Sequence, residues 1–184
     1  MRRSILAFVL LLTGWLAGCA PPHYAVFDTP QNAPYTLGSG DRLRVIVFGQ
    51  DSLSNTYAVD GTGNISMPLI GLVRARGLTT ATLEHAIAER LRNGFLRDPQ
   101  VSVEVEAYRP FFVLGEVTTA GQYPFINGMT VENAVAVAGG FTPRAYKWSA
   151  ELTRVINGVP VVATVPITQP VQPGDTVTIR ERFF

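Results

Sequence analysis

The apolar positions change period several times along the chain. Leu43-Arg44-Val45-Ile46-Val47-Phe48, rich in β-branched residues, predicts a strand. Tyr57–Asp60 and Ile65–Met67 flank Gly61-Thr62-Gly63, which predicts a hairpin, and Pro68–Gly77 then reads as a loop carrying Arg74 and Arg76. From Thr80 to Arg92 the period becomes helical: Leu83, Ile87 and Leu91 recur every four residues, Ala86 widens the stripe, and Thr79 or Thr80 can cap the start. Glu84 and Glu89 are expected on the opposite side, and Gly94 ends the helix. Val101, Val103 and Val105 alternate with Ser102, Glu104 and Glu106, the mark of a strand with one wet face.

The second half uses the same alphabet. Phe111–Leu114 predicts a strand, Gly115–Gly121 a turn and Tyr123–Ile126 a short strand. Thr130 caps a helix with Val131, Ala134, Val135 and Ala138 at i, i+3, i+4 and i+7, which Gly139-Gly140 stops. Glu151–Ile156 and Val159–Val165 form a hairpin around Asn157-Gly158, and Thr176–Arg180 is the last strand. Gly77-Leu78-Thr79 and Gly128-Met129-Thr130 open the two helices alike, and Gly40-Asp41 and Gly174-Asp175 each precede a strand. The expected fold is α+β: two small sheet-plus-helix units, residues 35–109 and 110–184.

The first eighteen residues stand apart. Arg2 and Arg3 precede an apolar run from Ile5 to Leu12 that is too short for a comfortable membrane span and has the shape of a secretory signal. Leu16-Ala17-Gly18-Cys19 follows, and Cys19 is the only cysteine. This segment resembles the lipobox of bacterial lipoproteins, in which the cysteine is acylated and becomes residue one after cleavage. Several acyl chains would hold the protein firmly to a membrane. Ala20 in place of an acidic residue is similar to the pattern sorted to the outer membrane. Residues 1–18 are thus expected to be a signal peptide. Residues 19–34, proline-rich and without periodicity, read as a tether.

Composition narrows the chemistry. The chain has 184 residues, 47% hydrophobic and 16% charged, with formal net charge +1, and loss of Arg2 and Arg3 leaves the mature part close to neutral. Such a chain is too apolar for general disorder and lacks the basic excess that a nucleic-acid backbone demands. A lone cysteine makes no internal disulfide, and two histidines without a cysteine cluster offer no structural zinc site. No cofactor is expected. Ser39 and Ser66 lie outside any nucleophile elbow, and Gly38-Ser39-Gly40-Asp41 reads as a turn, not a phosphate cradle. His23 sits in the tether and His85 on the first helix, both expected to be exposed or structural. Glu104 and Glu106 share a strand face, which reads as the solvated side and not as a glycosidase pair. Of the 15 basic residues 14 are arginine. Arg42 with Arg44, and Arg74 with Arg76, either contact an acidic glycan or, the favoured account, pair with nearby carboxylates. Tyr146 and Trp148, beside Arg144 and Lys147, either stack on sugar rings or, again favoured, pack against their own domain.

Four segments together resemble the bacterial polysaccharide biosynthesis/export proteins of the outer membrane: YTLGSGDRLRVIVFGQDSLS at 35–54, VDGTGNISMPLIGLVRARGLT at 59–79, LRDPQVSVEVEAYRP at 96–110 and FVLGEVTTAGQYPFINGMTVENAVAVAGGFTPRAY at 112–146. The last is similar to the soluble-ligand-binding β-grasp (SLBB) module of that family. Ser39 stands where the family often has proline.

The resemblance implies a periplasm-facing, lipid-anchored protein of the outer membrane. It implies a homo-oligomeric ring that conducts capsular or extracellular polysaccharide, without catalysis, beside an inner-membrane co-polymerase. Well-known members end in a long amphipathic helix that crosses the outer membrane, whereas here Arg180-Glu181-Arg182-Phe183-Phe184 directly follows the last strand. A separate outer-membrane barrel partner is therefore expected, or a short-type exporter that reaches the membrane only through lipid. The alternative is a non-conducting glycan-binding or scaffold lipoprotein of an envelope assembly. A glycan-processing enzyme lacks an acid–base pair.

Overall fold

In the computed structural model, Phe27, residues 34–156 and residues 158–182 are described; Cys19 and His23 lie outside them. The first half contains β1 (Arg42–Val47), β2 (Asn55–Ala58), β3 (Asn64–Met67), β4 (Gly71–Arg74), α1 (Thr80–Arg92) and β5 (Val101–Ala107). The second contains β6 (Phe111–Gly115), β7 (Gly121–Tyr123), α2 (Val131–Val137), β8 (Ser149–Ile156), β9 (Val159–Pro166) and β10 (Thr176–Ile179).

The α+β expectation holds. In the first half an antiparallel sheet of order β2-β1-β5 and a separate β3-β4 ribbon enclose one core with α1. Leu43, Val45 and Val47 on β1 bury against Leu83, Ile87 and Leu91, the predicted helical stripe. The Thr79 hydroxyl accepts from the Thr82 N–H at 3.2 Å, while Arg90 and Arg92 occupy the last turn, where cations suit the helix dipole. In the second half five strands in the order β7-β6-β10-β8-β9 form one sheet, parallel only between β6 and β10. Phe111, Val113, Leu152 and Val177 point from this sheet toward Val131, Ala134 and Val135 of α2. Thr130 and Asn133 close a reciprocal cap at the start of α2.

Four local readings need correction. Pro68–Gly77 is not all loop: β4 pairs with β3, Ile65 opposite Val73. Gly61-Thr62-Gly63 does turn the chain, held by the Asp60 carboxylate on the Thr62 and Asn64 N–H groups, but its flanks do not pair with each other. Instead β2 joins β1 and β3 joins β4, so the turn passes the chain between sheets. The short strand expected at Tyr123–Ile126 lies earlier, at Gly121–Tyr123, because Pro124 has no N–H to continue the ladder. Glu84 does not face away: its carboxylate accepts the Val103 N–H at 2.8 Å, satisfying the edge of β5 that no strand covers.

Candidate functional site

The two Gly-Asp sequences build the polar centre of each half in the same way. Gly38–Asp41 and Gln172–Asp175 are turns closed by N–H to carbonyl bonds of 3.2 and 3.1 Å. Gly40 (φ +94°) and Gly174 (φ +87°) hold the third position, which in such turns needs positive φ. Each aspartate then reaches back to the first residue of its turn: Gly38 N–H donates to Asp41 at 2.8 Å and Gln172 N–H to Asp175 at 2.7 Å. Both aspartates are buried, so both must be paired. The residue after each helix-opening glycine docks beside these turns, Leu78 with Leu37 and Met129 with Val171, through backbone bonds of 2.8–2.9 Å.

Arg109 lies between the turns. Its N–H donates to Asp41 Oδ1 at 2.8 Å, and its guanidinium lies 3.6 Å from Asp41 and donates to the Tyr35 hydroxyl at 2.8 Å. Tyr35 in turn donates to Asp41 Oδ2 at 2.7 Å. The Arg109 side chain runs so close to both turns that a Cβ at Gly38 would fall 2.1 Å from its Nη1, and one at Gly174 2.8 Å from its Nε. Tyr108 packs edge-on between Tyr35 of the first half and Phe125 of the second, with ring centroids 4.9 and 5.5 Å away, and its hydroxyl accepts from Asn127 at 3.1 Å. Burial first, and the bond to Asp41 second, push the Tyr35 hydroxyl up from its ordinary pKa.

The second aspartate has its own partner. Arg154 forks onto Asp175 at 2.7 and 3.0 Å and donates to the Pro170 carbonyl. Burial pushes the Asp175 carboxyl up; the guanidinium and the Gln172 N–H offset part of that. Phe27, from the segment read as a tether, lies with its ring centroid 4.8 Å from the Arg154 guanidinium carbon, and its carbonyl accepts from Gln169 at 3.3 Å. That contact ties part of the tether to the second half.

The candidate glycan contacts are scattered. Arg74 is exposed at the end of β4, and the exposed Arg76 donates to Ser39 and, at 2.6 Å, to the Gly61 carbonyl. Carboxylate pairing holds for Arg42, 3.5 Å from Glu106; among the described residues Arg44, Arg74 and Arg76 form no such pair. Trp148 is 72% exposed, which corrects the packing account for it: it precedes β8 and is left outside the core. Tyr146 is half-buried, its N–H bonded to the Arg180 carbonyl. No hydrogen bond or ring contact among the described residues joins either arginine to either aromatic. His85 is exposed. An open cleft of about 370 Å³ lies beside the joint, lined by Tyr35, Thr79, Thr80, Glu104 and Tyr108 among others. Sequence reasoning missed Arg109 and Tyr35; the only available sign was the repeated Gly-Asp.

Fold and joint define a two-module α+β protein: the Tyr35–Asp41–Arg109 network closes the first half, and Tyr108 against Phe125 and Asn127, with the Arg109 side chain against Gly174, meets the second. Residues 29–106 match the polysaccharide biosynthesis/export protein family, and residues 110–164 match the SLBB domain. The two domains, met in this order, and the relatives below support the polysaccharide export protein family for this chain. It is 37% identical to the exopolysaccharide production protein ExoF of Rhizobium meliloti, over 58% of this chain and 28% of that protein. To the EPS I polysaccharide export outer membrane protein EpsA of Ralstonia nicotianae it is 30% identical, over 58% and 35%. To the polysialic acid transport protein KpsD of Escherichia coli it is 25% identical, over 61% and 20%. The chain thus spans between 20% and 35% of these relatives.

Proposed function

We propose that the protein is a periplasm-facing, outer-membrane lipoprotein, acylated at Cys19, that forms part of a conduit for capsular or extracellular polysaccharide. The observation that carries this reading is the pair of family matches, export domain then SLBB domain, met in order along one chain. In this reading residues 35–109 are the export domain and residues 110–184 the SLBB domain. The Arg109 side chain, close against Gly174, and Tyr108, packed on Phe125, lie where the two meet.

Ring closure proceeds by heterologous contacts between neighbouring copies. The open face of the second sheet supports it. α2 covers one side, while Phe112 and Leu114 stand exposed on the other beside Thr176 and Thr178, their ladder partners. The polysaccharide passes through the ring without covalent change, and an inner-membrane co-polymerase delivers it. Arg74, Arg76, Tyr146 and Trp148 are the side chains proposed to meet the glycan.

The test is surface polysaccharide in a strain deleted for this gene, against the same strain complemented. Loss on deletion and recovery on complementation is the expected result. Unchanged surface polysaccharide in the deletion strain contradicts it and favours the non-conducting scaffold.

A further inference from the structure

The β8–β9 ribbon runs past the sheet that carries it. β10 pairs with β8 only along Glu151–Thr153, whereas β8 and β9 stay paired out to Ile156 and Val159. Three residue steps therefore project beyond the last three-strand contact, about 10 Å at the rise of a strand. Both sides of the projection are aliphatic. Val155 (62% exposed) and its partner Pro160 point one way, and Ile156, Val159 (60% exposed) and Val161 the other, the side on which Arg154 is buried against Asp175 at the root. No charged residue occurs between Arg154 and Asp175.

A protein partner that covered one side of such a ribbon would leave the other aliphatic side in water. A lipid surface accepts both. The 10 Å projection matches the depth to which interfacial segments settle, about 5–10 Å, and falls far short of the roughly 30 Å needed to span. At that depth headgroups and water still reach the open edge of β9, whose backbone groups hydrocarbon could not satisfy.

A second observation points to the same end of the molecule. Phe27 rests on Arg154, at the root of the ribbon. It lies eight positions after Cys19, and eight extended residues reach at most about 28 Å. We propose that the projecting end of the second half, Val155 and Ile156 of β8 with Val159 to Val161 of β9, seats in the headgroup–acyl boundary of a bilayer, with Phe27 holding the tether beside it. The ribbon's part stands whether or not the chain is acylated; the tether's part rests on the reading of Cys19 as the anchor.

The test uses the mature chain with Cys19→Ser and Val159→Cys, carrying an environment-sensitive fluorophore at residue 159, and vesicles of phosphatidylethanolamine and phosphatidylglycerol. The emission should shift to the blue with vesicles and be quenched by lipid-borne quenchers. The same label on His85→Cys, exposed on α1, should not respond. Ile156→Glu, also at an exposed site, should weaken vesicle partition about tenfold while leaving thermal unfolding unchanged. No response at residue 159, or a blue shift without vesicles that grows with protein concentration, overturns the proposal; the latter makes the ribbon a contact between copies. For the tether, the distance between labels on unacylated Cys19 and Val159→Cys should be narrowly distributed and broaden in Phe27→Ala. Equal breadth in both overturns the latch. Failure of the acylation reading shows separately, as absence of palmitate on Cys19.

Discussion

The main-chain N–H of Arg109 donates to the Asp41 carboxylate at 2.8 Å although 68 positions separate the two residues. This bond and the Arg109 side chain close a fully buried carboxylate that also takes the Gly38 N–H and the Tyr35 hydroxyl. A carboxylate so enclosed fixes direction, because Oδ1 takes the Arg109 N–H while Oδ2 takes the Gly38 N–H and the Tyr35 hydroxyl. The first turn, the end of β5 and the entry to β6 are thereby held in one arrangement.

Asp41→Ala is expected to cost about 3 kcal/mol or more, since it strands the two N–H donors and leaves a guanidinium without its counter-charge. Arg109→Ala should cost less, about 1–2 kcal/mol, because its backbone N–H still reaches Asp41. Urea unfolding of each variant checks the order. Equal and negligible losses would mean that the buried carboxylate does not hold the first turn to the β5–β6 connection.

Tyr35 makes the joint sensitive to alkali. Its folded pKa lies above the unfolded value near 10. Its contribution is therefore complete below pH 10 and is lost as pH rises from there, when only the unfolded state releases the proton. The stability gap between wild type and Tyr35→Phe should narrow above pH 10. A gap constant from pH 7 to pH 11 would contradict the buried, hydrogen-bonded hydroxyl.

What was legible in the sequence was whatever one segment decides alone. Leu83, Ile87 and Leu91 with Thr79 determine α1 because spacing and cap are local, and the Gly-Asp pairs marked two strand starts for the same reason. β4 was hidden because only Val73 of its four residues is buried and Leu72 faces solvent, so no alternation shows. Glu84 was misplaced because its acceptor role is created by the open edge of β5, a tertiary fact. Arg109 has no local signature: its partners are Tyr35 and Asp41, and the glycines that admit it lie in two distant turns. Phe27 stood among prolines with nothing nearby to say that Arg154 would meet it.

Trp148 separates surface function from packing. With its side chain largely in solvent, Trp148→Ala should change stability by no more than about 0.5 kcal/mol. It should reduce surface polysaccharide at normal protein levels. Full secretion by this variant would remove Trp148 from the proposed glycan contacts.

Cys19→Ser should abolish palmitate labelling and release the protein from the membrane fraction. Continued labelling of the variant would refute acylation at that residue.

The most direct test of the conduit is the architecture of the protein extracted from membranes in mild detergent, by electron microscopy with a mass measurement on the same sample. A closed ring of identical copies around a central opening is the predicted result. Monomers or dimers persisting at concentrations where the protein supports export would contradict a conduit built from this chain.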